Sequence, residues 1–182
     1  MNISFRNATL EDKDFYFLIR KTTIKPNIEK YASWDEEKEY ANITSKINIE
    51  NDNIILHSGK EIGLFCFTEY DENFYLDTLN IIVEYQNRGL GTWIISCLKE
   101  QAKIKNKKIK LDTYQNNSKA IKFYLKNGFE ISGYKNLPNK YPKVLMEYGG
   151  QEYSLQSKWK KMDLLIGKSF ARYIGIIDII EI

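Results

Sequence analysis

A mixed α/β domain, with a mostly antiparallel central sheet flanked by helices, is the fold class the sequence predicts, and three observations carry it. Near the start, Leu10, Phe15, Leu18 and Ile19 recur at helical spacing. Three extended runs then follow one another at 54–57, 62–70 and 74–83, parted only by Ser58-Gly59-Lys60 and Asp71-Glu72-Asn73, so an antiparallel meander is the economical topology. The third run leads through Gln86-Asn87-Arg88-Gly89-Leu90-Gly91-Thr92 into a helical pattern, which adds a strand, helix, strand crossover.

Taken in order, residues 3–8 have strand character, and Thr9 ahead of Glu11 and Asp12 reads as the start of a helix reaching about residue 21. Pro26 is expected to interrupt the chain. A second helix is predicted over 34–47, with Ser33 as its N-cap, Asp35, Glu36 and Glu37 in its first turn, and Tyr40, Ile43 and Ile47 on one stripe. After the meander, 90–105 reads as a helix carrying Leu90, Ile94, Cys97, Leu98 and Ala102 near one face. Residues 109–114 read as a strand, 118–126 as a helix stopped by Asn127-Gly128, and 129–134 and 144–148 as closing strands.

Gly149-Gly150 reads as a boundary, dividing the chain into a domain over 1–148 and an appendage over 149–182. In the appendage Leu155, Trp159, Met162, Ile166 and Phe170 predict an extra amphipathic helix, and the apolar stretch 173–182 reads as a strand or a second helix. So short a segment cannot bury its own apolar surface, so it packs on its own domain or on a second copy of the chain as a homodimer.

A length of 182 residues suits one domain, and 43% apolar with 28% charged residues is the balance of a globular protein. The net charge of +3 comes without base-reading motifs, so no nucleic-acid partner is expected. The densest positive run, Lys103, Lys105, Lys107, Lys108 and Lys110, reads as a solvated helix terminus, with a phosphate contact as its other reading. Cys66 and Cys97 lie in apolar stretches without metal-ligand spacing, which predicts buried thiols in a reducing, cytoplasmic setting and no metal site. Arg6, Glu11, Asp12, Lys13 and Asp14 break up the first twenty residues, so neither a signal peptide nor a membrane partner is expected. His57 has no Ser or Cys motif beside it to suggest a nucleophile.

A glycine-containing turn opening a helix offers unpaired N–H groups at the positive end of the helix dipole, a site for an anion such as a pyrophosphate. It lacks the lysine and Ser or Thr of a kinase-type loop and the third glycine of a dinucleotide fold. Gln86, Gly89 and Gly91 instead resemble the Q/R-x-x-G-x-G/A signature of the GNAT superfamily of N-acetyltransferases. Downstream, Asn117, Ala120, Tyr124, Gly128 and Phe129 resemble that family's N-x-x-A-x-x-x-Y-x-x-x-G-F element. The resemblance spans roughly residues 1–148, and residues 28–36 look like a pattern recurring in one group of bacterial members.

The resemblance implies acetyl-CoA as co-substrate. Gln86, Asn87, Arg88, Gly89, Leu90, Gly91 and Thr92 would cradle its pyrophosphate, backbone groups around Ile81, Ile82 and Val83 would pair with its pantetheine arm, and Asn117 and Tyr124 would face it from the other side. The implied reaction is attack by a neutral primary amine, on a small molecule or a peptide, at the thioester carbonyl. Tyr124 then protonates the leaving sulfur. Where many relatives carry a glutamate before the turn this chain has Asn80, able to orient a water, and Asp77 or Asp112 is the nearby carboxylate. Acceptor recognition falls to Glu29, Tyr31 and Trp34, whose aromatic and acidic character suits a cationic amine, although a helix start and a packing tryptophan would look the same. The rival implication is an acyl-CoA-binding sensor or interaction module without strong transfer activity. A third reading has the lysine run hold RNA for acetylation.

Overall fold

The computed structural model describes residues 2–136 and 141–149. The predicted extra helix and apolar tail, at 150–182, lie outside the described residues. Seven described strands form one sheet: β1 (Ile3–Asn7), β2 (Asp52–His57), β3 (Lys60–Glu69), β4 (Asn73–Ile81), β5 (Lys108–Tyr114), β6 (Glu130–Lys135) and β7 (Lys143–Tyr148). Their spatial order is β1-β2-β3-β4-β5-β7-β6. The sheet is antiparallel except between β4 and β5, whose parallel pairing follows from the helical crossover that joins them. The expected meander is present. Its first turn is set by Ser58 and Gly59, both left-handed at φ 50° and 83°, between the paired His57 and Lys60, the conformation a two-residue hairpin requires.

Two expectations about the helices need correction. Pro26 does not interrupt the chain: α1 (Lys13–Ile19) runs through a π-helical turn at Arg20–Ile24 into α2 (Lys25–Ile28). Proline lacks an N–H and crowds the carbonyl four residues back, and a widened turn just ahead of it accommodates both defects. The predicted helix over 34–47 shrinks to α3 (Glu36–Ala41), followed by a 3-10 turn at Thr44–Lys46. Asp35, not Ser33, caps it, accepting from the Lys38 N–H at 3.0 Å. It stops at Asn42, whose side chain bonds the Lys38 carbonyl while Ser45 bonds the Asn42 carbonyl, so local polar groups take over the backbone's acceptors.

Strand alternation sorts the core into two layers. Ile55, Phe65, Phe74, Leu76, Ile109 and Leu111 meet Ile94, Ile95 and Leu98 of α4 (Leu90–Ile104), together with Tyr124 of α5 (Ser118–Lys126), in one large dry cluster. Ile54 and Leu64 face the other way, where among the described residues Ala8, Tyr16, Ile19 and Ile43 are buried with them and half-buried side chains such as Phe15 and Phe17 pack around. The α5 helix ends as predicted, with Gly128 at φ 77° and bonds from the Phe129 N–H to the Tyr124 carbonyl and from the Gly128 N–H to the Leu125 carbonyl. Burial pushes the Cys66 and Cys97 thiols up to about 12. The lysine run is largely neutralised: Lys105 and Lys107 pair with Glu69, Lys103 with Glu100 and Lys108 with Glu147. No helix among the described residues is long and apolar enough to cross a membrane.

Candidate functional site

β4 and β5 pair only over Asn73–Leu76 against Lys108–Leu111, after which β4 runs on to Ile81 and β5 to Tyr114 without meeting. The cause lies on the far side of β4. Cys66 pairs with Thr78 and Phe67 with Leu76, which leaves Asp77 as an extra residue, and a bulge there turns the strand away from its parallel neighbour. Beyond the bulge the Ile82 N–H bonds the Ile62 carbonyl at 2.9 Å, so by strand alternation the backbone groups of Leu79 and Ile81 face the opening.

At the open end lies the glycine turn. It does not follow the strand directly as the sequence suggested, because a 3-10 turn at Val83–Tyr85 intervenes and β4 stops at Ile81. Ile82 is half-buried and Val83 exposed. Asn87 and Gly89 adopt left-handed conformations at φ 59° and 84°, with Gly89 as the N-cap of α4. Trp93 makes the first bond back to the Gly89 carbonyl, so the N–H groups of Leu90, Gly91 and Thr92 precede the helix's own ladder. Gly91 serves packing as well: a Cβ there would stand 3.1 Å from the Phe123 ring. Gln86 acts as a staple, donating to the Ile81 carbonyl at 2.7 Å and accepting from Lys119 at 2.6 Å. Arg88 lies over the Tyr85 ring, itself beside His57. The Asn117 side chain caps α5 through the Ala120 N–H at 3.1 Å.

Tyr124 is buried, 8% exposed, edge-on to Phe123 and Phe129. Burial alone raises its phenol above the usual value, and no described residue bonds its hydroxyl, which is therefore protonated and available as a donor.

The opposite face of β4 carries a polar cleft of about 320 Å³ beneath the π turn. Asp77, Thr78 and Asn80 form one wall, Arg20 and Lys46 contribute cations, and Tyr16, Asp52 and Cys66 also line it. Asp52 is already satisfied, by the Tyr16 hydroxyl at 2.5 Å and the Asn48 N–H at 2.8 Å. Asp77 is not: burial raises its carboxyl above the usual range, the Asp112 and Asp52 charges add to this, and only Thr68 at 3.4 Å and Cys66 at 3.8 Å oppose it. Asp112, the other candidate, has both oxygens engaged, one by the Tyr75 hydroxyl at 3.0 Å and one by Lys143.

The three acceptor candidates from the sequence do not line this cleft. Tyr31 packs against Tyr141, which meets Tyr114; Glu29 is exposed near Lys25; and the indole N–H of Trp34 is buried without a partner among the described residues. Arg20 and Lys46 were not singled out from the sequence. A lysine and an arginine in amphipathic segments carry no spacing signal, and only the folded helix brings them to the cleft.

A sheet parted between two parallel strands, with a helix N-terminus at the mouth, is a shape suited to an extended anionic ligand laid along a strand edge. Residues 49–131 match the family model for an acetyltransferase (GNAT) domain, a family whose acetyl donor is acetyl-CoA. The fold is shared with PaiA N-acetyltransferase from Thermoplasma acidophilum, solved with coenzyme A, at a TM-score of 0.62 and 19% identity, covering 82% of this chain and 99% of that one. It is shared with YjaB from Escherichia coli at a TM-score of 0.65 and 16% identity, covering 83% and 100%. Arabidopsis thaliana Naa50, in complex with the bisubstrate analogue CoA-Ac-MVNAL, superposes at a TM-score of 0.57 with 17% identity, covering 82% and 99%. No curated protein matches the sequence.

Proposed function

We propose that the chain is an N-acetyltransferase that moves an acetyl group from acetyl-CoA to a primary amine held in the polar cleft. The observation that carries this is the parting of β4 from β5 at the Asp77 bulge, which leaves the sheet unpaired between the face that bears the glycine turn and the face that bears the cleft. The residues fit the donor: free N–H groups at Leu90–Thr92 suit its pyrophosphate, and the backbone of Leu79 and Ile81 suits a pantetheine arm paired as an added strand. Acetyl-CoA supplies an activated thioester. Asp77 takes the ammonium proton, directly or through a water that Asn80 orients, so that a neutral amine is presented for attack. Tyr124 holds its phenol toward the leaving sulfur. Its raised pKa makes it a hydrogen-bond donor that stabilises a developing thiolate more than a group that gives up its proton outright.

The acceptor is a small-molecule or peptide amine; Glu29, Tyr31 and Trp34 stay outside the cleft lining, and of them Tyr31, packed on Tyr141, is the candidate for a contact to the acceptor's far end. Residues 1–148 act as the cytoplasmic catalytic domain. The rival, an acyl-CoA-binding sensor, is favoured only by Asn80 and by the engagement of Asp112. Incubation with acetyl-CoA and an amine panel, followed by free-thiol detection, separates the two. The wild type should release thiol about 10 to 100 times faster than Tyr124→Phe, the worth of one hydrogen bond to a charged group. Tight acetyl-CoA binding with equal, background release from both would leave only the sensor.

A further inference from the structure

The cleft has two poles of opposite charge. On the β4 wall Asp77 is a carboxylate that no described cation pairs with, flanked by the neutral donors and acceptors of Thr78 and Asn80. On the helix wall, at the first residue of the π turn, stands Arg20, joined by Lys46. Glu39 does not line the cleft. It accepts from Arg20 Nε at 3.3 Å and Nη2 at 3.0 Å, and from Lys46 at 2.6 Å. Burial pushes the Glu39 carboxyl up, and the bonds from Lys46 and Arg20 more than offset it, so Glu39 stays ionised. Two cations on one carboxylate leave a net positive charge, and no described residue accepts from Arg20 Nη1.

A guanidinium steadied along one edge by a carboxylate outside the cleft, on a residue that lines the cleft and with donors to spare, is how an arginine is prepared to receive a second carboxylate. The side chain loses little further freedom when the ligand arrives, because Glu39 already fixes its plane. The π turn contributes by position. Its extra residue per turn shifts the helix register between Ile19, packed in the core, and Ile24, which lines the cleft beside Arg20. Among the other polar groups of the wall, Asp52 and Tyr16 are spent on each other. The charged groups left for a ligand are therefore an anion at one pole and cations at the other. A cleft of about 320 Å³ is at the small end for ligand sites, which run from roughly 300 to 1,000 Å³.

We infer that the acceptor is a small amine that itself carries a carboxylate, an amino acid or a close relative, with its amino group at Asp77 and its carboxylate on Arg20 and Lys46. This rests on the acetyl-transfer reading and narrows it: simple amines and polyamines offer nothing to the cationic pole and meet repulsion there.

The test compares matched pairs that differ only by the carboxylate: phenylalanine with phenethylamine, lysine with cadaverine, and γ-aminobutyrate with propylamine. For each, thiol release from acetyl-CoA gives kcat/KM, and calorimetry on the CoA-loaded protein gives binding without turnover. In at least one pair the acid should be favoured by on the order of tenfold or more in both readouts. Arg20→Gln should bring that ratio toward one, Arg20→Lys should restore part of it, and thermal unfolding should confirm that both variants fold. Thiol release with equal or better use of the decarboxylated member in every pair overturns the inference and leaves acetyl transfer standing. An unchanged ratio in a folded Arg20→Gln also overturns it. A carboxylate preference in binding with no thiol release from any pair sustains the two-pole cleft and removes the transferase reading.

Discussion

The two faces of the sheet are built on different physical terms. On the α4 and α5 face, a continuous apolar cluster holds the glycine turn and Tyr124, and the groups left open at the turn are backbone N–H. On the other face a smaller cluster leaves room for a cleft lined by charged side chains, Arg20 and Lys46 held by Glu39, and Asp77 without a described cation. A backbone site depends on local conformation and survives most side-chain changes. A side-chain site depends on which residues the tertiary fold happens to bring together. The donor half should therefore fail through backbone strain, and the acceptor half through single charges.

The largest expected effect falls where the two halves share a strand. A Cβ on Gly63 would stand 2.5 Å from the Asn80 carbonyl, which is backbone and cannot swing away. Gly63→Ala should cost about 2–4 kcal/mol in urea unfolding, and transfer activity should fall with it because β4 moves on both faces at once. Asp77→Asn comes next and acts on one face only. Removing the proton acceptor should lower kcat/KM by about 100-fold while the KM for acetyl-CoA stays near the wild-type value. In the wild type, kcat/KM should fall as pH drops through the raised Asp77 pKa, so its acid limb should lie above the ordinary carboxylate range. A limb at the ordinary carboxylate value would move the role of base away from Asp77.

Gly89→Ala probes the donor half alone. Its φ of 84° has open space around it, so the penalty is conformational rather than steric, about 1–2 kcal/mol. The KM for acetyl-CoA should rise several-fold, with the acceptor ratios unchanged. An equal rise in acceptor KM would mean the two faces are not separable.

The same contrast explains what could be read from the residues in order. Gly89 and Asn117 announce themselves because a left-handed turn and a helix cap restrict residue type locally, Gln86 and Gly91 were legible only through the resemblance of the turn to a family signature, and the meander follows from runs parted by short turns. The bulge at Asp77 was not legible, since it exists only as a register difference between β3 and β4. Nor was the preference for Asp77 over Asp112, which rests on Lys143 and Tyr75 reaching one carboxylate and not the other. Pro26 misled because its usual effect was absorbed by the π turn, a feature with no composition signal of its own.

The smallest expected effect compares two carboxyl groups whose pKa values are displaced in opposite directions. Arg6 bonds Asp12 at 2.8 and 2.6 Å, and with the Thr9 N–H at 2.7 Å this holds its carboxyl below the usual range despite burial. A folded-state pKa below the unfolded value of about 3.9 adds stability that is fully present above that value and is lost as pH falls through the lower, folded one. Asp77 runs the other way: with its folded pKa raised, its ionised form opposes folding at neutral pH, and protonation relieves the strain as pH falls. Asp12→Asn should therefore lower stability at pH 7 by about 1 kcal/mol, the modest worth of a pair whose arginine is a third exposed, and should flatten the loss below pH 4. Asp77→Asn should leave stability at pH 7 unchanged or slightly raised. Urea unfolding of both variants at pH 7 and pH 3 reads the two signs together. Destabilisation by Asp77→Asn at pH 7 would mean that its charge is held by a partner after all, and the cleft would lose its anionic pole.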